Sequence, residues 1–254
     1  MPLPLSVAIV CKNNASSIGA TLDSVAGLAD EIVAIDSGST DGTIELIEAR
    51  GGRVIRSEWL GHIRTKQLAM EAAQRDWVLS IDSDEVVLPA LRDSIAAALS
   101  GAATAVRGFE INRKVYYRGK PLDFAWQPEW RLRLVRRGAA RWGGIDPHDV
   151  LSLIDGSAPA RLAGDLRHDS FATFAEHLGK QVGYSRLSAE GLLARGVRGS
   201  PWRLLTSPPG AFLKQLVLKQ AWRDGVPGWL AAGTQAAGSL MKHMMLLEGS
   251  RPRR

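Results

Sequence analysis

Residues 77–85 read Trp-Val-Leu-Ser-Ile-Asp-Ser-Asp-Glu. The run begins apolar, as a strand covered on both faces does. It ends on two carboxylates one residue apart, Asp82 and Asp84, just before a turn. Upstream the same grammar repeats. Residues 5–11 (LSVAIVC), 31–36 (EIVAID) and 53–57 read as short buried strands. Between them, 16–28, 43–50 and 63–75 carry helical spacing, and 89–99 follows as another helix. Ser16 or Ser17 is the expected N-cap of the first helix, and Gly51-Gly52 stops the second. Strands alternating with helices predict an α/β fold, a mostly parallel Rossmann-like sheet with helices on both faces.

Ligands of such sheets lie beyond the carboxyl ends of the strands. The groups expected there are Cys11-Lys12-Asn13, Asp36-Ser37-Gly38 and Asp82-Ser83-Asp84-Glu85. From about residue 105 the pattern changes. Residues 106–117 and 131–136 read as longer strands joined by a polar, Trp-rich connection, and 161–166 as a shorter one. After Phe171 the chain turns helical, basic and apolar. The expected organisation is a catalytic domain over 1–170, with halves 1–100 and 101–170, and a helical basic extension over 171–254.

Composition narrows the choices. The 254 residues are 45% hydrophobic, enough for a full core. The formal charge of +6 favours anionic partners without choosing among them. A single cysteine, Cys11, rules out an internal disulfide. The opening MPLPLSVAIV reads as a strand and not as a secretion signal. No run reaches the roughly 18 apolar residues of a spanning helix.

Three constellations carry chemistry. Asp82-x-Asp84 at a strand end offers hard oxygen ligands to a divalent ion that also binds phosphate oxygens. An isolated D-x-D is also a common acidic turn; the strand-end setting favours the metal. In Val33–Gly42, Asp36 can accept hydrogen bonds from a base or ribose, Ser37, Ser39 and Thr40 add short donors, and Gly38 permits close backbone approach. In Arg64-Thr65-Lys66-Gln67 the cations can reach a diphosphate, or simply face solvent.

Taken together, strand 1 with Cys11-Lys12-Asn13, then Asp36–Gly42, Lys66-Gln67-Leu68-Ala69 and Trp77–Glu85, resemble family 2 glycosyltransferases of GT-A fold. Among these they are similar to the bacterial lipopolysaccharide-core β-1,4-glucosyltransferases. The likeness continues through Arg131-Leu132-Arg133-Leu134 and His148-Asp149. It implies inverting transfer of a hexose, glucose by default, from a UDP-sugar to a glycolipid or other glycan acceptor, with Mg²⁺ or Mn²⁺. By the same likeness Lys12, Asp36, Ser37, Lys66, Asp82 and Ser83 serve the nucleotide-sugar, and Asp84, Asp82 and His168 the metal. His148 and Asp149 are the expected catalytic pair, with Asp149 the base and Glu129 and Asp146 its rivals. Relatives carry His-Glu at this point, so Asp149 is one methylene shorter.

Trp126, Trp130 and Trp142 are expected near the acceptor, as a sugar platform or as core. Residues 191–223 hold six Lys/Arg and no Asp or Glu. With their Trp and Leu they suit an anionic membrane surface or a helical cap. A wheel over 211–223 sets Phe212 near Lys219 and Arg223 and does not separate the two faces. The implied location is cytoplasmic, peripheral on the inner membrane. A dinucleotide fold is disfavoured because no G-x-G-x-x-G follows the first strand. Sugar nucleotidyltransferases usually open with a Gly-rich loop bearing a basic residue, and none is present here. Nucleic-acid binding leaves the clustered acids unexplained.

Overall fold

Strand β1 (Leu3–Cys11) leads into α1 (Ala15–Val25), β2 (Ala29–Asp36), α2 (Thr43–Glu48), β3 (Arg53–Arg56), α3 (His62–Ala72), β4 (Trp77–Asp82), β5 (Glu85–Val87) and α4 (Pro89–Ser100). There follow β6 (Gly108–Tyr117), β7 (Lys120–Pro121), β8 (Trp130–Arg136), β9 (Ala140–Ile145), β10 (His148–Leu153) and β11 (Ala160–His168). Helices α5 (Phe174–Ala194), α6 (Pro201–Leu213) and α7 (Val226–Gly249) complete the chain, with a π-helical stretch Lys214–Leu218 and a 3₁₀ turn Ala221–Asp224 between the last two. The structure is a computed structural model that describes residues 3–101, 106–145, 148–169 and 171–250.

The chain divides into two compact units. The first holds residues Met1–Arg113 and Glu129–His168. Its sheet runs β3-β2-β1-β4-β8-β6-β11-β5, parallel over the first four strands, with β8 antiparallel to β4. Period-two alternation in β1 sends Leu5, Val7 and Ile9 to one face. There they meet Ile18, Leu22 and Val25 of α1 and Leu91 and Ile95 of α4. Ala8, Val33, Ile35 and Val78 face the other way, onto Ala69 and Met70 of α3 and onto Trp142 and Leu151 of the β9–β10 hairpin. Each fully buried aliphatic contributes about 1.5–3 kcal/mol. That is why the first strands read so plainly in the sequence.

Helix α1 ends at Val25, three residues before the expected stop, and begins after Asn14 and not at Ser16 or Ser17. Strand β5 and the β9–β10 hairpin were not foreseen. Strand β5 is three residues long and antiparallel to β11, pairing Glu85 with His168. Gly164 explains how β11 lies so close to α4: it has φ +87°, and a Cβ there would stand 2.3 Å from the Leu91 nitrogen.

The second unit holds Lys114–Pro128 and Asp169–Arg254. The boundary therefore differs from the single cut expected near residue 170, because 114–128 belongs with the helices. The Asp224 carboxylate accepts the backbone N–H groups of Asp123, Phe124 and Ala125 at 2.9, 3.1 and 2.7 Å. Val115, Leu122 and Ala125 share a core with Phe171, Phe174, Ala221 and Ala231. No helix among the described residues is long and apolar enough to cross a membrane.

Two histidines give this unit a pH signature. His177 lies 4.5 Å from Phe171 and 5.3 Å from Trp126, ring centre to ring centre. Burial, then Lys180, holds its pKa below the usual histidine value. Burial does the same to His243, with Lys242 and Arg203 adding to it. A depressed histidine stabilises fully above its unfolded pKa of about 6.5, and that contribution is lost as pH falls, because the unfolded chain binds protons the fold refuses. The melting temperature measured by calorimetry is thus expected to drop between pH 7.5 and 5.5. Each histidine contributes at most about 1.4 kcal/mol per pH unit. A His177→Gln, His243→Gln double variant flattens the slope. An equal slope in wild type and variant would contradict this assignment.

Candidate functional site

Register brings the first two acidic tips together: Cys11 pairs with Asp36 across β1–β2, and Val10 pairs with Asp82 across β1–β4. Asp36 and Asp82 thus end strands on either side of β1, about 10 Å apart at the usual strand spacing.

The loops beyond β1 and β2 are laced to each other. Asn13 donates its N–H to Ser39 Oγ at 2.9 Å, and its side-chain oxygen accepts from Thr40 N–H at 2.9 Å. Asn14 N–H donates to Thr43 Oγ1 at 2.8 Å. Asp41 accepts from Ala15 N–H at 2.9 Å and from Thr43 N–H at 3.1 Å, tying the first turns of α1 and α2. Gly38 sits at φ +92°, a conformation glycine adopts without strain.

Asp36 is only 1% exposed. Its carboxylate accepts from Gly38 N–H and Ser39 N–H at 3.0 Å each and from the Ser39 hydroxyl. Burial raises its pKa, but these donors outweigh burial and hold it below the ordinary carboxylate value. For Asp36 to accept from a nucleobase, one internal donor has to be exchanged. The Cys11 thiol beside it is pushed up to about 12, first by burial and then by the Asp36 charge, so it stays protonated and inert. Ser37 is buried, and its Oγ has no hydrogen-bond partner among the described residues. Lys12 is exposed at the loop surface.

At the β4 tip a buried ionic network takes over. Lys66 Nζ, from α3, lies 2.8 Å from Asp82 Oδ1 and 2.9 Å from Asp149 Oδ2. Arg133 Nη2 reaches Asp82 Oδ2 at 3.3 Å and Glu85 Oε1 at 2.9 Å. Arg113 Nη1 stands 3.6 Å from Glu85 and pairs with Glu129 through Nη2 at 2.8 Å; Arg131 joins Glu129 at 2.7 Å. Four carboxylates (Asp82, Glu85, Glu129, Asp149) thus interleave with four cations (Lys66, Arg113, Arg131, Arg133). Burial favours a neutral Asp82, yet Lys66 and Arg133 outweigh it and hold the carboxyl far below its usual range. The Trp142 ring covers both cations, 4.9 Å from Lys66 Nζ and 5.7 Å from the Arg133 guanidinium carbon.

Asp84 stands outside this network. Among the described residues it takes no Lys or Arg partner, and its Oδ2 is 3.5 Å from His168 Nε2. The pairing follows from the backbone, since His168 is opposite Glu85 across β5–β11. His168 Nδ1 is buried without a hydrogen-bond partner. A carboxylate without a cation and an imidazole nitrogen at this spacing suit neighbouring positions on one divalent ion, at metal–ligand distances near 2.1 Å. Among the described residues no three His, Cys, Asp or Glu side chains converge as a complete cage. The described residues would therefore offer two ligands to such a site, with other oxygens left to a substrate.

Several expectations need adjusting. Asp82 does not form a three-ligand group with Asp84 and His168 among the described residues; Lys66 and Arg133 contact its two oxygens. Glu129, the rival base, is clamped by two arginines, which outweigh the opposing effect of burial and lower its pKa. Asp146 lies outside the described residues, as does the side chain of His148, of which only the backbone in β10 is described. Ser83 is buried, and its carbonyl accepts from Thr21 Oγ1 at 3.1 Å. Of the three tryptophans, Trp142 touches site residues but is buried, so it is no open platform. Trp130 stacks with Arg161, 4.6 Å away, and Trp126 packs on Phe171 in the second unit. From sequence Arg113 has no role, and Glu85 and Arg133 enter only within longer motifs. A signal existed: Arg133 alternates with buried Leu134 and shares its strand face with buried Val135, and an arginine on a buried strand requires a carboxylate.

The sheet thus places a basic clamp and an acidic tip at the ends of its parallel strands, where α/β enzymes bind ligands. Glycosyl transferase family 2 matches residues 6–151, more than half of the chain. The lipopolysaccharide core biosynthesis glycosyltransferase LpsC of Rhizobium meliloti (strain 1021) is 32% identical over 244 residues, covering 92% of this chain and 88% of the relative. A glycosyltransferase of Rickettsia prowazekii (strain Madrid E) is 28% identical, covering 89% and 80%. The crystal structure of glucosyl-3-phosphoglycerate synthase from Mycobacterium tuberculosis with Mn²⁺ and UDP-glucose overlaps 78% of this chain and 81% of its own, at 20% identity and a TM-score of 0.47. The chain belongs to glycosyl transferase family 2 and is a glycosyltransferase with a GT-A type α/β fold.

Proposed function

We propose that the protein transfers a hexose, glucose first among candidates, from a UDP-sugar to a membrane-borne glycolipid of the lipopolysaccharide-core kind, with inversion at the anomeric carbon. The observation that carries this reading is Lys66 Nζ held between Asp82 and Asp149 at 2.8 and 2.9 Å, beside the Asp84–His168 pair. The relationship to LpsC supports the acceptor class.

Asp84 and His168 would hold Mg²⁺ or Mn²⁺, which when bound offsets charge on the departing nucleoside diphosphate. Lys12, Ser37, Asp82 and Ser83 line the nucleotide side, and Asp36 keeps the loop that meets the base in shape. Before the donor arrives, Lys66 neutralises Asp149. A diphosphate competes for the same ammonium and frees a carboxylate oxygen of Asp149. That oxygen takes the acceptor hydroxyl proton as the new C–O bond forms and the bond from the anomeric carbon to the phosphate oxygen breaks.

A melting-temperature screen of UDP-glucose, UDP-galactose and GDP-mannose, with and without Mn²⁺, tests the donor. At about 100-fold excess over Kd, stabilisation of roughly 2.7 kcal/mol raises the midpoint by about 5–10 °C. A shift with UDP-sugars only, enhanced by metal, is expected. No shift with any nucleotide sugar would overturn the proposal. Asp149→Asn is expected to lower kcat by about 10²–10⁴-fold while leaving the donor-induced shift intact. A kcat within tenfold of wild type would remove Asp149 as the base.

A further inference from the structure

Helix α6 buries no residue completely, although its sequence is largely apolar. Its half-buried positions, Leu204, Ser207, Pro208, Ala211 and Phe212, form the side packed within the helical unit. Phe212 meets the Trp229 ring of α7 at 6.2 Å. The outward side carries Trp202, Leu205, Pro209 and Leu213, all exposed. At about 100° per residue these four fall within roughly 80° of arc, a continuous stripe along the helix. Trp202 is 72% exposed, and just past the helix Leu218 is 76% exposed. Arg203 and Lys214, both exposed, follow one flank of the stripe, about 100° round from Trp202. Residues 211–223 do not share one α-helical spacing, because they run from the end of α6 through the π-helical stretch and into the 3₁₀ turn.

We infer that the outer face of α6, continued by Leu218 and Trp222, is a docking surface for the headgroup region of an anionic phospholipid bilayer. Charge selects this occupant. Arg203 and Lys214 flank the stripe, in a stretch, 191–223, that holds six basic residues and no acidic one, while Lys219 donates to the Gln127 carbonyl and Arg223 lies over Phe124; a protein partner would leave the flanking charge unanswered unless itself acidic. Tryptophan and leucine enter the boundary between headgroups and acyl chains, while flanking cations meet lipid phosphates. The inference rests on the reading of a membrane-borne acceptor only for its purpose; the binding itself needs neither donor nor acceptor.

The test is co-sedimentation of the full-length chain, without nucleotide sugar, with phosphatidylcholine vesicles containing phosphatidylglycerol and with vesicles of phosphatidylcholine alone. Binding to the anionic vesicles with a blue shift of tryptophan emission is expected. The Arg203→Gln, Lys214→Gln variant binds the anionic vesicles roughly 10- to 30-fold more weakly. The Trp202→Ser, Leu205→Ser, Leu213→Ser variant loses about tenfold or more. Both keep the wild-type melting temperature, because the replaced side chains are exposed. Binding to neither vesicle, or wild-type binding by either variant, would overturn the inference. So would a dimer in sedimentation velocity that the triple serine variant dissolves without any vesicle binding, which would assign the stripe to a second copy of the chain. Failure of the donor screen alongside intact vesicle binding would remove the proposed reaction and leave this surface standing.

Discussion

Asp84→Ala is expected to abolish hexose transfer, lowering kcat/KM by at least about 10³-fold, while leaving the fold intact. The activity loss follows from position. Asp84 is the one carboxylate of the β4 tip region that no Lys or Arg neutralises among the described residues, and its Oδ2 lies 3.5 Å from His168 Nε2. Several kcal/mol of charge stabilisation pass through a metal at such a site, and each 1.36 kcal/mol is tenfold in rate. The stability claim has a different source. The Asp84 side chain is one-third exposed and outside the buried ionic network, so its removal changes stability within about 0.5 kcal/mol. Two readouts separate the effects: initial rates of transfer, and the melting shift by UDP-sugar with and without Mn²⁺. The variant should lose the metal-dependent increment and retain the metal-free one. Transfer within tenfold of wild type would remove Asp84 from the site.

How much of this could be read beforehand depends on which force fixes each feature. The strands β1, β2 and β4 and the helices between them were legible because burial imposes a run of Val, Ile and Leu on a two-sided strand, and the run ends where the polar site begins. Strand β5 was not legible. Glu85-Val86-Val87 is too short for periodicity and is held by pairing with Leu166, Arg167 and His168, some eighty residues away. The β9–β10 hairpin was hidden for another reason: Ala140–Ile145 contains Gly143-Gly144, which reads as a turn, yet Gly143 and Gly144 pair with Val150 and Asp149. The sequence singles out Lys66, Asp82, Asp84 and Asp149 as candidates, but not the side chains they pair with. An Asp at a strand end announces a carboxylate; it does not say whether a cation or a metal answers it. That depended on which face of β8 presents Arg133, a choice made by the antiparallel pairing of β8 with β4 and β6. Asp82 and Asp84 look equivalent in the sequence and sit in opposite electrostatic settings in the fold.

That asymmetry also explains how a buried acidic tip is tolerated. Moving ions out of water costs several kcal/mol each, and attraction compensates only with good geometry and complete pairing. The network answers charge with charge, alternating signs from Lys66 through Asp82, Arg133 and Glu85 to Arg113 and Glu129, while Arg133 Nε and Nη1 stay buried without a hydrogen-bond partner among the described residues. Asp84 is left out, at the margin where a diphosphate and a cation can complete it. On the proposed function, nucleotide and metal would arrive together, since an anion alone faces Asp84 and a cation alone finds two ligands among the described residues.

Arg133→Met carries the largest expected effect on stability, a loss of about 3–5 kcal/mol. Methionine fills much of the arginine stem, so the loss is electrostatic more than steric. Glu85 is 0% exposed, and its nearest cation is Arg133 at 2.9 Å; the next, Arg113, is at 3.6 Å. Without Arg133, Glu85 and Asp82 keep their desolvation cost and lose the charge that offsets it. In a chain of this size the melting midpoint should fall by about 10 °C, at 2–4 °C per kcal/mol. The sign with pH is also fixed. Despite burial, Lys66 and Arg133 depress the Asp82 pKa, so that stabilisation is fully present above the unfolded value near 4 and is lost as pH falls below it. The gap between wild type and variant should therefore be widest near neutrality and shrink below about pH 4. Glu85→Gln added to Arg133→Met should recover part of the loss, because the second change removes the unpaired charge created by the first; the coupling in this double-mutant cycle is expected to exceed about 1 kcal/mol. Urea unfolding of the four proteins at pH 7, followed by circular dichroism, gives all the values required. Additive single losses, or an Arg133→Met variant within about 1 kcal/mol of wild type, would mean that the buried network does not hold the β4 tip in place.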